Sequence, residues 1–96
     1  MDDTTFYAAY DAITNRMNEV ARGEGTSFAS AAAAWRALGI RVYNAGGDEG
    51  LDELFSHVRG FAESLQAVGE NGWERTKQDL RELEQSWSGI GGFGRN

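Results

Sequence analysis

The side chains that could support chemistry in this chain begin with its only histidine, His57, which follows Glu53 by four residues. On a helix, a carboxylate at this spacing could orient the imidazole as a general base, or the two side chains could ligate a metal ion. A zinc site needs further histidine or cysteine ligands, and the chain has one histidine and no cysteine. The pattern therefore favours a solvated pair on the polar side of a helix, and we expect neither a metal nor a cofactor.

Four acidic residues crowd the segment just before this histidine: Asp48, Glu49, Asp52 and Glu53. A calcium-binding EF-hand loop needs alternating oxygen ligands and a glutamate at its twelfth position, and this segment has neither. At the start of a helix, acidic side chains interact favourably with the helix dipole. A second interpretation, which stays open, is that they form a contact patch for a basic partner.

Nucleophilic catalysis and phosphate binding have no motif in the chain. There is no Gly-x-Ser-x-Gly sequence, and no serine stands in a recognisable relation to His57. The glycine-rich residues 88–94 lack the preceding strand and the following Lys-Ser/Thr helix of a phosphate-binding loop. We therefore expect a protein that is not an enzyme.

The composition is that of a small acidic domain. The chain has 96 residues and a formal net charge of −6, which suits a single domain over residues 1–96. Direct nucleic-acid binding normally needs a basic face, so none is expected, whereas an acidic surface suits a basic surface on another protein. No apolar run approaches a membrane span, and the N-terminus lacks the apolar segment of a signal peptide. We expect no membrane association and a cytoplasmic location.

Apolar residues recur at the three- and four-residue spacing of α-helices along most of the chain. The clearest repeat runs from Leu51 to Val68, and a narrower one follows from Trp73 to Trp87. Joined by a short glycine-containing connection, these two repeats predict an antiparallel helical hairpin. The full pattern predicts an all-α fold, a compact four-helix bundle with helices at about 4–22, 27–44, 49–68 and 72–87.

The second of these helices has an ambiguous end at Gly39. Residues 40–43 are either extended or helical, and we favour helix because a lone strand of this length would have no partner strand. The residues Asn44-Ala45-Gly46-Gly47 are then the predicted stop.

Aromatic residues cluster towards the C-terminus, where two interpretations stay open. Residues 88–96 are either a flexible tail or a strap whose Ile90 and Phe93 pack back on the bundle. Trp87 lies on a predicted apolar stripe, which favours the core. Exposed together with Phe93, it would instead form an apolar anchor for a partner.

Trp87-Ser88-Gly89 resembles the Trp-x-Gly signature of the small helical-hairpin substrates of type VII secretion. The resemblance implies a helical-hairpin dimer. In that family the motif makes the turn between two long helices near mid-chain, whereas here seven residues follow Gly89. A Tyr-x-x-x-Asp pattern runs from Tyr7 to Asp11, although the secretion signal of that form belongs near the C-terminus. The helical dimer is therefore the alternative function.

The function that we expect first is that of a small acidic, non-catalytic module that binds a protein partner. It would act as an inhibitor, of the phage anti-defence, immunity or antitoxin type, by occluding a basic surface. The partner would be a protein with such a surface, for example in a nucleic-acid-binding complex, and a homodimer is compatible with this function. The predicted contact residues are acids of the last two helices and two C-terminal aromatic residues: Asp48, Glu49, Asp52, Glu53, Glu63, Glu74, Asp79, Glu82, Glu84, Trp87 and Phe93.

Overall fold

The computed structural model describes residues 3–24 and 28–93, and within these ranges every regular element is helical. The three α-helices are α1 (Asp3–Ala21), α2 (Ala32–Ser64) and α3 (Glu70–Trp87). Short 3-10 turns precede and follow α2, at Phe28–Ala31 and Leu65–Val68. The all-α prediction is confirmed. The predicted helix start at residue 27 and the last tail residues, 94–96, lie outside the described residues.

The predicted count of four helices is not confirmed, because over the described residues the expected second and third helices form one segment, α2. Gly47, at the stop predicted for residues 44–47, has non-helical torsion angles within it (φ 67°, ψ −161°). A straight helix of 33 residues would be about 50 Å long, yet the longest dimension of the molecule is 35 Å. The chain therefore bends sharply at Gly47 without a connecting loop. We call residues 32–46 the N-limb of α2 and residues 48–64 its C-limb.

Residues 40–43 are helical, as predicted, and the N-limb runs through Gly39 without interruption. The missing side chain at Gly39 makes room for the end of α3. A Cβ atom there would lie 2.5 Å from both Cδ1 and Nε1 of the Trp87 indole and 3.0 Å from Cδ1 of Ile90. Real Cβ atoms do not approach heavy atoms so closely, so glycine permits this contact between α2 and α3.

The hydrophobic core lies where the three helices meet. The predicted stripe of α1 places Ile13 and Met17 in it, and both are fully buried. The predicted stripe of the C-limb and of the 3-10 turn after it contributes further buried side chains, namely Leu51, Leu54, Phe55, Val58, Ala62 and Leu65. The Cα radius of gyration, 12.7 Å, is close to the value of about 12.5 Å expected for a globular chain of this length.

Helix α3 buries a partly polar face. Thr76 and Asp79 are fully buried, as is Leu83, whereas Trp73 and Leu80 are only half-buried. The Thr76 hydroxyl donates a hydrogen bond to the Gly72 carbonyl oxygen at 2.8 Å, so it is satisfied within its own helix. The face of α3 towards the core thus combines short polar side chains with large apolar ones.

Candidate functional site

His57 and Glu53 are both exposed on the C-limb, but their side chains do not form the expected pair. The His57 Nδ1 atom lies 2.8 Å from the main-chain oxygen of Glu53, and this carbonyl can only accept, so Nδ1 is the donor. The Phe6 ring meets the imidazole edge to face, with ring centroids 5.4 Å apart. The contacts of His57 thus show no carboxylate in position to orient it as a base. Among the described residues, no group of three His, Cys, Asp or Glu side chains could hold a metal ion.

The acidic residues of the C-limb form a predominantly negative surface. Glu49, Asp52, Glu53 and Glu63 are all exposed. At 100° per residue, they fall within an arc of about 100° around the helix axis, over a length of about 21 Å. We call these four residues the acidic face. The guanidinium of Arg59, the one basic residue of the C-limb apart from His57, lies 5.0 Å from the centroid of the Phe55 ring in a cation–π contact.

Asp48 has a different role from its neighbours, although it is also exposed. Its Oδ1 atom accepts a hydrogen bond of 2.7 Å from the main-chain N–H of Gly92. The carboxylate therefore ties the start of the C-limb to the C-terminal segment of the chain. Sequence reasoning missed this role, since no local pattern links residues that are 44 positions apart.

The acids of α3 alternate with bases, so they form no surface of one sign. Glu74 makes an ion pair of 2.8 Å with Lys77, and the hydrogen bond and charge of Lys77 hold the pKa of Glu74 below its ordinary value. The Glu82 carboxylate lies at 3.5 Å from the Gln78 amide nitrogen. Glu84 is exposed, and its helix also exposes Arg75 and Arg81.

Asp79, Trp87 and Phe93, which were expected to contact a partner, lie in the interior, with exposed fractions of 0%, 0% and 6%. The Trp87 indole N–H donates a hydrogen bond of 2.8 Å to the main-chain oxygen of Trp35. The Phe93 ring packs edge to face on Trp87 and Phe55, with centroid distances of 5.6 and 5.4 Å. In this conformation these three side chains contact their own chain and are not part of its outer surface.

Residues 88–93, which we call the strap, turn back from the end of α3 onto α2. Ile90 and Phe93 are buried, which corresponds to the strap alternative of the sequence. One guanidinium nitrogen of Arg36, Nη1, donates to the main-chain oxygens of Ser86 and Ser88, at 3.1 and 2.9 Å. These two carbonyl groups lie at the C-terminal end of α3, where main-chain oxygens have no hydrogen-bond donor within the helix, and Arg36 supplies that donor. No local sequence pattern indicates this contact, because its partners are 50 and 52 positions apart.

A cavity of about 500 Å³ opens between the end of α1 and the outer part of α3. Its lining includes Glu74, Arg75 and Arg81, so its walls carry charges of both signs. The Nη1 atom of Arg75 donates a hydrogen bond of 3.4 Å to the Ala21 carbonyl oxygen. His57 does not line this cavity, so the one imidazole of the chain lies elsewhere.

Within the described ranges, none of the helices is both long enough and apolar enough to cross a membrane. No protein-family model, no curated protein and no solved structure matches this chain. Among the exposed side chains of the described residues, those of the acidic face form a group of like charge along one side of a helix.

Proposed function

We propose that the protein is a non-catalytic binding module whose acidic face contacts a basic surface on a partner protein. The observation that supports this proposal is the exposure of Glu49, Asp52, Glu53 and Glu63 along one side of the C-limb. Arg59, the one arginine of the limb, is exposed at the edge of this face and contacts the Phe55 ring, so the four carboxylates leave the face with a net negative charge. Such a field accelerates encounter with a positive surface and disfavours negative ones.

The expected contact set is narrower than the eleven residues that the sequence indicated. Asp79, Trp87 and Phe93 are interior, and Asp48 is engaged with the strap. The α3 acids stand among exposed bases, where their charges partly cancel. Binding would therefore depend on charge at the C-limb rather than on aromatic anchors, and it would weaken steeply as salt is added.

A helix of this size that covers a basic surface would inhibit by steric and electrostatic occlusion. Inhibitors of the anti-defence, immunity and antitoxin types can act in this way when the basic surface of the target is the one that binds its substrate or nucleic acid. We propose this class for the protein, with a basic protein surface as its target.

The test uses a fluorescent arginine-rich peptide as a stand-in for the basic surface, with binding followed by anisotropy at low and physiological salt. The variant Asp52→Lys/Glu53→Lys reverses two charges of the acidic face and changes the net charge from −6 to −2. The matched control Glu19→Lys/Glu24→Lys makes the same change in net charge on exposed residues of α1 and the turn after it.

We expect the C-limb variant to raise the Kd by about tenfold or more, because each lost charge contact contributes up to about 1 kcal/mol and reversal adds repulsion. The control should raise it much less. Equal weakening by the two variants, or binding that is insensitive to salt, would contradict the acidic face as the binding surface.

A further inference from the structure

The strap contacts both limbs of α2, on either side of the bend. On the N-limb, the Arg36 guanidinium holds the Ser88 carbonyl oxygen at 2.9 Å. On the C-limb, the Asp48 carboxylate accepts the Gly92 N–H at 2.7 Å, and the Phe55 ring packs on Phe93. The strap therefore bridges the bend and fixes the position of one limb relative to the other.

The bend itself depends on one residue. At φ 67° and ψ −161°, Gly47 occupies a region of torsion space that essentially only glycine adopts. A Cβ atom added at Gly47 would meet nothing within 4 Å, so no side-chain packing at the residue itself maintains the bend. The bend is instead held by contacts on its two sides, including those of the strap.

Glycine can also adopt helical torsion angles, at a cost of about 1 kcal/mol relative to alanine. If Gly47 adopts helical torsion angles, the two limbs join in one straight helix and move apart. Val42 and Leu51, which lie on opposite sides of the bend and are fully buried in the same hydrophobic cluster, would then be separated. A second copy of the chain, opened at the same residue, can supply the same groups in the same arrangement, as in exchanged dimers.

We propose that Gly47 is a hinge latched by the strap, and that the opened form is an exchanged dimer of two copies of this chain. The interface of this dimer consists of the contacts that the closed monomer already makes, with each half packed against the complementary half of the second copy. The proposal concerns the N-limb, C-limb and strap, and it is independent of binding by the acidic face.

The test compares Gly47→Ala with Gly60→Ala. Both positions have open space for a Cβ atom, but Gly60 lies in the regular part of the C-limb and Gly47 has a positive φ. Spin labels on cysteines introduced at the exposed residues Ala37 and Ser56 report the limb separation, since the chain has no cysteine of its own. The labelled chains are diluted in an excess of unlabelled chains of the same variant, so that the separation within one chain is measured rather than the separation between two copies. A straight helix places these positions about 28 Å apart along its axis. Sedimentation velocity gives the fraction of dimer.

We expect Gly47→Ala to show the separation of about 28 Å and to raise the dimer association constant on the order of 10- to 100-fold, because alanine is strained in the closed form. Gly60→Ala should match the wild type in both measurements. A chemically synthesised chain with D-alanine at position 47 should stay closed and monomeric, because its preferred torsion angles are the mirror image of those of L-alanine.

A second variant tests the latch without changing the hinge. A Cβ atom at Gly91 would collide with the Tyr43 ring and the Asp48 carboxylate, so Gly91→Ala should displace the strap and raise the dimer fraction. A Gly47→Ala chain that is monomeric with the wild-type limb separation would overturn the proposal, and so would a dimer that keeps that separation. If Gly47→Ala does not fold, a monomeric Gly91→Ala variant would overturn it equally.

Discussion

Replacing Gly39 by alanine tests the close packing of helix α2 against Trp87 of α3. The added Cβ atom would lie 2.5 Å from Cδ1 and Nε1 of Trp87, inside any permitted contact distance. The indole is fully buried and donates its N–H to the Trp35 carbonyl oxygen at 2.8 Å. It cannot retreat without leaving this acceptor or pressing on the ring of Phe93, whose centroid is 5.6 Å away.

The size of the effect follows from three opposing contributions. Forcing extra volume into a packed core costs about 1–3 kcal/mol. Loss of the indole hydrogen bond adds about 1 kcal/mol. In the opposite direction, alanine in place of glycine stabilises a helix by about 1 kcal/mol. We therefore expect Gly39→Ala to lower the free energy of unfolding by about 1–3 kcal/mol, which corresponds to a fall in Tm of at least about 4 °C for a domain of this size.

The assay is urea denaturation followed by far-UV circular dichroism, with Gly60→Ala as the matched control. Gly60 is exposed on the C-limb, and an added Cβ atom there has no neighbour within 4 Å. Gly60→Ala gains helix propensity without a steric cost, so it should raise the free energy of unfolding by up to about 1 kcal/mol. Gly39→Ala and Gly60→Ala should therefore change the free energy of unfolding in opposite directions. A Gly39→Ala protein that gains as much stability as the control would refute the packing of Trp87 against α2.

Further substitutions at Asp48, Arg36 and Lys77 test the strap and the ion pair between Glu74 and Lys77. Asp48→Ala removes the acceptor of the Gly92 N–H and should cost about 1 kcal/mol in urea denaturation, whereas Asp48→Asn keeps an oxygen acceptor and should cost less. Arg36→Met should cost about 1 kcal/mol in the same assay, because its two hydrogen bonds to carbonyl oxygens at the end of α3 are only partly shielded from water. The pKa of Glu74 is lowered by Lys77, so this pair should stabilise the fold above the ordinary carboxyl pKa and lose that effect as the pH falls through the lowered value. Lys77→Met should flatten that part of the acid-side stability curve, and an unchanged curve would contradict the assignment.

The periodicity of the sequence was enough to predict the helical fold but not the path of the chain at residues 44–47. Two consecutive glycines, Gly46 and Gly47, are typical of the end of a helix, and the sequence interpretation separated two helices there. In the structure, one glycine with a positive φ changes the chain direction, so the helix resumes at once and needs no loop. Local sequence does not distinguish a stop from such a bend, because contacts of the strap from more than 40 residues away hold it.

The candidate site was predictable where it depends on helix phase and not where it depends on tertiary contacts. Glu49 and Asp52 are exposed, as their position opposite the apolar stripe indicates, and their contact with a partner stays a prediction. Asp79 was predicted to lie on the surface because it is charged. It follows Thr76 by three residues and precedes Leu83 by four, and this spacing places it on the buried face of α3. For Trp87, the sequence did not distinguish a core position from a surface position. The indole packs against Gly39, which is 48 positions away in the chain, and no local pattern indicates that contact.

The most direct test of the proposed function is a titration of the isotope-labelled protein with the arginine-rich peptide, followed by amide chemical-shift mapping. We expect saturable shifts concentrated on residues 49–63, with residues 87–93 little affected and the shifts lost in high salt. Shifts centred on Trp87 and the strap, or none that saturate, would contradict the claim that charge on the C-limb carries the binding.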